Sequence, residues 1–207
     1  MRNLICIPCM DMVHTLFFTS IMKMNKPEDT EIAVSSSSLV YDARHVLAHK
    51  ALSEGFDRVL WLDSDMRFDP DLMERLSADL DQGLEFVSAL YFTRKNPVKP
   101  CVYRVCHNMP NGKGKMAPTA IAFEEIPDGL FEIEGCGFGA VMMTSDLIRK
   151  CGDLPFFPMG GYGEDFTFCR KARAEGAKLY CDGRIKVDHV GISLINETTW
   201  QSAKEGG

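Results

Sequence analysis

Residues 1–207 predict an α/β fold, in which an open, mostly parallel central sheet is flanked by helices and carries a small inserted loop or hairpin. Three observations point to it. Short apolar runs alternate with segments of helical spacing along most of the chain. One of those runs, Val59 to Leu62, has the character of a buried strand and ends abruptly in the carboxylates Asp63 and Asp65. A stretch rich in Pro, Gly and Lys, residues 94–130, interrupts the alternation and marks the insert.

The elements follow in order. Asn3 to Pro8 is a short apolar strand. Asp11 is placed to cap a helix through Val13, Leu16, Phe17, Ile21 and Met24, which share one face. Glu31 to Ser35 is a second strand, followed by the polar loop Ser36-Ser37-Ser38. Leu39 to Glu54 carries Val40, Ala43, Val46, Leu47 and Ala51 at helical spacing, and Gly55 closes it. After the strand ending at Asp63, a helix runs from Asp69 to Gln82 with Gly83 as its stop. Phe86 to Phe92 is a strand. Glu132 to Thr144 contains a glycine-rich turn and a strand, Ser145 to Lys150 is a short helix, and Glu164 to Glu175 is a longer one. Leu179 to Cys181 and Ile185 to His189 are the last strand candidates. No repeat or low-complexity tract is present.

Composition fits a single domain with a substantial core. A net charge of −6 and a pI near 5.4 disfavour broad binding to nucleic acid or anionic membranes, which needs a basic face. A local basic patch is left open by Lys95, Lys99, Arg104, Lys113 and Lys115 in the middle third. Of the eight cysteines, Cys6 and Cys9 have Cys-x-x-Cys spacing, but no second such pair follows, as a zinc ribbon would need. The first residues lack the form of a secretory signal, and no run approaches the roughly 20 apolar residues of a membrane helix. The expectation is a cytoplasmic protein with no transmembrane segment and with reduced, mostly buried thiols.

Parallel sheets bind ligands at the carboxyl ends of their strands. That edge gathers Pro8-Cys9, Ser35-Ser36 and Asp63-Ser64-Asp65. Two carboxylates at a strand end are hard ligands suited to a divalent cation and a phosphate-bearing partner. The phosphate-loop signature is absent, and Gly137-Phe-Gly139 is too short for the dinucleotide fingerprint. Two further groups stand out. Gly160-Gly-Tyr-Gly163 runs into Glu164 and Asp165 at a helix start, and His189 closes a short apolar strand. Each has an ordinary structural alternative: turn chemistry around Asp69-Pro70-Asp71, a favourable helix dipole for Glu164 and Asp165, and a solvated surface position for His189.

Together, Asp63-Ser64-Asp65, then Gly163-Glu164-Asp165 about a hundred residues later, then Val187-Asp188-His189, resemble the GT-A-type nucleotide-sugar-dependent glycosyltransferases. The resemblance extends from Leu4 to Gly191. Tyr41-Asp42-Ala43-Arg44 is similar to that family's Ala-Arg-Asn helix motif beside the nucleotide, departing from it at His45. Gly135-Cys-Gly-Phe-Gly139 is similar to its glycine-rich segment lining the donor and acceptor pockets. The resemblance implies a Rossmann-like GT-A fold in one domain. Residues 1–93 would form the nucleotide-sugar-binding half, 94–130 the insert, and 131–207 the acceptor and catalytic half.

The resemblance also implies roles. Pro8, Arg44, Asp63, Ser64, Asp65 and Gly137 would bind a UDP- or GDP-sugar. Asp65 would be the principal ligand of Mn²⁺ or Mg²⁺, Asp63 would hold the ribose or reach the metal through water, and His189 would complete the site. Mixed carboxylate and imidazole ligation favours Mn²⁺. Arg44 would help to neutralise the diphosphate. Asp165 would deprotonate the acceptor hydroxyl, with inversion at the sugar carbon, and Glu164 would bind acceptor or act as the second-choice base. Two other readings stand beside this one. A nucleotidyltransferase also uses a carboxylate-bound metal, but Cys6 to Asp11 lacks its early glycine-rich basic loop. The other reading is a non-catalytic carbohydrate- or nucleotide-binding module.

Some readings stay open on sequence alone. Trp61 is core or a sugar platform. Tyr162 and Phe138 stack on a ligand or pack locally. Met109 to Lys115 is an acceptor lid or a surface hairpin. The acceptor itself is unknown, and its site must come from residues 94–130, the C-terminal tail or the neighbouring subunit of a homo-oligomer.

Overall fold

A computed structural model describes residues 1–191 and 194–205 of the chain. In order, its elements are β1 (Asn3–Cys9), α1 (Thr15–Lys23), β2 (Thr30–Ser36), α2 (Val40–Ser53), β3 (Arg58–Leu62), β4 (Met66–Arg67), α3 (Leu72–Leu80), β5 (Phe86–Leu90), β6 (Val102–Pro110) and β7 (Met116–Ala122). They continue with β8 (Leu130–Ile133), β9 (Gly135–Cys136), β10 (Ala140–Thr144), α4 (Ser145–Lys150), α5 (Glu164–Ala174), β11 (Leu179–Lys186), β12 (Asp188–Val190), β13 (Leu194–Ile195) and α6 (Glu197–Glu205).

The main sheet has the order β2-β1-β3-β10-β5-β11-β8. β2, β1 and β3 pair in parallel, as do β5 and β11. β10 runs antiparallel to both β3 and β5, and β8 runs antiparallel to β11. Five of the seven strands therefore point the same way, and their carboxyl ends define one edge. The period-2 side-chain alternation of β1 divides its residues between two layers. Leu4 and Cys6 join the core under α2, α4 and α5, while Ile5 and Ile7 join the one under α1 and α3. Val59 to Leu62 are wholly buried, because helices cover both faces of β3. On the α5 side the layer is aromatic. Phe156 stacks on Phe168 at 4.9 Å, Phe138 meets Phe168 at 5.4 Å, and Trp61 meets Phe156 at 4.9 Å.

Several element boundaries differ from expectation. α1 begins at Thr15, and its cap is His14, whose Nδ1 accepts from the Leu16 amide at 3.1 Å, not Asp11. The His14 amide is itself tied to the Ser64 carbonyl at 2.9 Å, so the chain crosses the strand-end edge before it can coil. α3 begins at Leu72 rather than Asp69, since a residue preceding proline is disfavoured in helical geometry. Residues 94–130 hold a long hairpin, β6 and β7, anchored to the molecule by β6 pairing with β9. Its tip is set by Asn111, whose Oδ1 accepts from the Lys113 and Lys115 amides. The two late strand candidates divide differently, into an eight-residue β11 and a short β12. The C-terminal α6 carries no sequence signal read above. It is docked by Trp200, which packs on Phe92 at 5.1 Å.

Phe168 is fully buried among three other phenylalanines. Phe168→Ala is expected to lower unfolding free energy by about 3–5 kcal/mol, the usual cost of deleting a buried aromatic ring. Chemical denaturation measures this, and a loss below about 1 kcal/mol would show that the aromatic layer is not the packing centre.

Candidate active site

The parallel strands deliver Cys9, Ser36 and Asp63 to the same edge. Cys9 Sγ lies 3.3 Å from Ser36 Oγ, and Pro8, opposite Ser35, is buried just behind them. The Asp63 amide donates to the Gly139 carbonyl at 3.1 Å, joining the strand end to the glycine-rich segment. Ser64 contributes its carbonyl to the start of α1, as noted above.

β4 then brings the far end of the chain to this place. It pairs with β12, matching Met66 to His189 and Arg67 to Asp188, and the Val190 amide donates to the Asp65 carbonyl at 2.8 Å. His189 Nε2 consequently stands 3.5 Å from Asp65 Oδ2. Its Nδ1 lies 3.0 Å from the Phe92 carbonyl. A carbonyl oxygen only accepts, so Nδ1 carries a proton in either charge state of the ring; Nε2 donates toward Asp65 when the ring is charged, and offers a lone pair when it is neutral. This is the arrangement in which a backbone carbonyl orients a metal-binding imidazole.

A residue not singled out in the sequence shares that carboxylate. Arg94 Nη1 lies 2.9 Å from Asp65 Oδ2 and donates to the Val190 carbonyl at 3.1 Å. It follows β5 on the same sheet edge, but its partner Asp65 is remote in sequence, so nothing in the local pattern singled it out. Burial by itself would raise the Asp65 pKa. The hydrogen bond and charge that His189 supplies when its ring is protonated, with the charge of Arg94, outweigh it and hold the carboxyl below its ordinary range.

Beside this pair lies a second cluster, centred on Arg44 of α2. The side chain is only 2% exposed. Its Nη2 donates to Asp63 Oδ1 at 2.8 Å, and its Nε lies 3.5 Å from Glu164 Oε1. The guanidinium rests 5.3 Å from the Phe138 ring and 5.7 Å from Trp61. Burial raises Asp63 above the ordinary carboxylate range, and Arg44 offsets this only in part, because Asp65 and Glu164 add repulsion. Glu164 and Asp165 open α5 behind Gly163, where the amide ends of the helix favour negative charge. Asp165 Oδ1 accepts from the Phe166 amide at 2.7 Å. Its pKa is nonetheless pushed up to about 7, first by burial and then by the neighbouring Glu164 charge.

Gly137 lies against Asp165. A Cβ there would come 3.6 Å from Asp165 Oδ2 and would collide with the Tyr91 hydroxyl, which accepts from the Gly139 amide at 3.3 Å. The glycines of this segment thus let Tyr91 cross beneath it. Trp61, Phe138 and Tyr162 are all buried, so their rings pack within the protein. The Tyr162 hydroxyl accepts from the Thr119 amide at 2.8 Å. The cysteines are all free thiols, and only Cys9 is not buried. Among the described residues, no helix is long and apolar enough to cross a membrane.

Asp63, Asp65, Glu164 and Asp165 face two guanidiniums, Arg44 and Arg94. When all four carboxylates are ionised, the group is two charges negative, a balance that one divalent cation would neutralise. Among the described residues, no three His, Cys, Asp or Glu side chains gather closely enough to cage a metal. Two donor atoms do fit one. Ligand bonds of roughly 2.1 Å leave adjacent ligand atoms about 3.0–3.5 Å apart, and Asp65 Oδ2 and His189 Nε2 meet that spacing. Such an open site suits a cation that completes its coordination with water and substrate phosphates.

No family model matches the chain, and no curated protein sequence matches it. Solved structures do. The crystal structure of A197 from STIV superposes with a TM-score of 0.71 at 22% identity, covering 95% of this chain and 94% of that one. The crystal structure of GalNAc-T7 with UDP, GalNAc and Mn²⁺ superposes with a TM-score of 0.62 at 12% identity, covering 99% of this chain and 47% of that one. The chain therefore spans about half the length of the second structure. These likenesses establish the expected GT-A-like fold: an α/β sheet with mostly parallel central strands between helical layers.

Asp165 binds its proton more tightly folded than unfolded. Its contribution to stability is therefore complete below about pH 4 and lost as pH rises through about 7. Asp165→Asn removes that loss while keeping an acceptor for the Phe166 amide. In metal-free buffer the variant is expected to melt above the parent at pH 8, with the gap closing toward pH 4. A gap independent of pH, measured by thermal denaturation across that range, would contradict the raised value.

Proposed function

We propose that this chain is a metal-dependent glycosyltransferase. It moves a sugar from a UDP- or GDP-sugar to an acceptor hydroxyl with inversion, using Asp165 as base. The observation that carries the reading is the convergence at one sheet edge of Asp65, His189 and the Arg44-centred carboxylates. The presence of UDP, GalNAc and Mn²⁺ in a structure of the same fold supports it.

Asp65 and His189 would hold the cation, which when bound supplies positive charge to a departing diphosphate. Mixed oxygen and nitrogen donors favour Mn²⁺ over Mg²⁺. Asp63, engaged by Arg44 through Oδ1, would hold the ribose or reach the metal through water. Ser64, Pro8 and Gly137 would border the nucleotide-sugar through their backbones. Arg44 is buried, so its charge acts through Asp63 and Glu164, fixing their positions and tempering their repulsion. Asp165, with a pKa near neutrality, is matched to taking a proton from a hydroxyl at ordinary pH. Glu164, held by Arg44, is the less available base and borders the acceptor side.

The direct assay offers the protein nucleotide-sugars with Mn²⁺ and follows release of UDP or GDP. Release of pyrophosphate from nucleoside triphosphates would instead assign a nucleotidyltransferase, and binding without turnover a non-catalytic module. Asp65→Ala is expected to abolish Mn²⁺-dependent nucleotide-sugar binding in a folded protein, and unchanged binding by calorimetry would refute the metal role. His189→Ala is expected to raise the Mn²⁺ concentration that gives half-maximal turnover. Asp165→Asn should lower transfer by roughly a hundredfold or more while donor binding persists. Near-normal transfer by that variant would move the base to Glu164 or favour a retaining reaction.

A further inference from the structure

Arg94 occupies a position that the proposed reaction does not explain. Its guanidinium approaches Asp65 Oδ2 at 2.9 Å, and His189 Nε2 approaches the same oxygen at 3.5 Å. That oxygen is the one whose spacing from His189 Nε2 fits a shared cation. Arginine cannot shed its charge, so a divalent cation brought to the same carboxylate oxygen meets repulsion from the guanidinium as well as attraction from the carboxylate. Arg94 and the cation therefore compete.

The local structure lets Arg94 give way. Its loop is closed at the base by the Thr93 amide on the Lys99 carbonyl at 2.8 Å, the Lys99 amide on Thr93 Oγ1 at 3.1 Å, and a bridge between Phe92 and Pro100. The backbone is thus pinned, while the Arg94 side chain is 48% exposed and free to change rotamer. Its only other hydrogen bond among the described residues is to the Val190 carbonyl. Once displaced, the guanidinium remains tethered next to the cation's ligands, where a diphosphate offers it two anionic oxygens at once.

Resting on the metal-dependent reading above, we infer that Arg94 is an exchange residue. It neutralises Asp65 until a cation and a nucleoside diphosphate arrive together, then passes to the diphosphate. The cation alone binds weakly, and cation and nucleotide strengthen each other's binding.

This requires effects of opposite sign in one variant. By calorimetry on metal-free protein, Arg94→Gln is expected to bind Mn²⁺ alone about fivefold more tightly, on the scale of one partly exposed ion pair. The same variant is expected to bind UDP or GDP, in saturating Mn²⁺, about tenfold more weakly, on the scale of a charged hydrogen bond. Arg94→Lys keeps a competing charge and should stay near the parent for Mn²⁺ alone, and melting curves in chelator establish that each variant is folded. Unchanged Mn²⁺ affinity in Arg94→Gln, or weakening of both ligands together, overturns the exchange role. Failure of the parent to bind Mn²⁺ even with UDP or GDP overturns the metal-dependent reading itself, and this inference with it.

Discussion

The site depends on one buried cation. Arg44 sits inside the protein, cannot lose its proton, and lies against the faces of Trp61 and Phe138. A desolvated guanidinium is tolerated only with anionic partners. Those partners come from elements far apart in the chain: Asp63 at the end of β3 and Glu164 at the start of α5. The demand of one side chain thus draws a strand end and a helix start together, and places Asp165 beside them. Burial first, and then the charge of Glu164, push the Asp165 pKa up to about 7, while Arg44 pulls against them.

Backbone pairing does the rest. β4 and β12 are short, and neither would be stable alone. Their pairing, with the Val190 amide on the Asp65 carbonyl, fixes His189 beside Asp65. The Phe92 carbonyl then selects which imidazole nitrogen faces the carboxylate. Position, tautomer and charge are set by three different parts of the chain, so the donor pair exists only in the folded state.

What could be read beforehand divides along the same line. Asp63, Asp65, Glu164, Asp165 and His189 lie at the ends of apolar or helical segments, and such ends are visible as changes in local pattern. Their meeting at one sheet edge follows from the parallel order of β1, β2 and β3. Arg44 was legible as a helix residue, but its burial was not, because that depends on Trp61 and Phe138 arriving from other elements. Arg94 was missed for a similar reason: its partner Asp65 is remote in sequence, and a single arginine in a polar loop carries no pattern. The His14 cap also depends on a distant group, the Ser64 carbonyl. A hairpin insert was legible in residues 94–130, but the length of β6 and β7 was not, because Pro110 and Pro118 fall within the strands; α6 has only a modest apolar face, organised around Trp200.

If Asp65 and His189 hold a divalent cation, as proposed above, the pairing of β4 with β12 is what brings its two donors together. The most direct measurement uses protein labelled with ¹⁵N at its five histidines and follows their ring resonances as Mn²⁺ is added with UDP or GDP. Paramagnetic broadening is expected at His189 well before His45, His49 and His107. A His189 signal that stays sharp while the other three broaden would contradict the account.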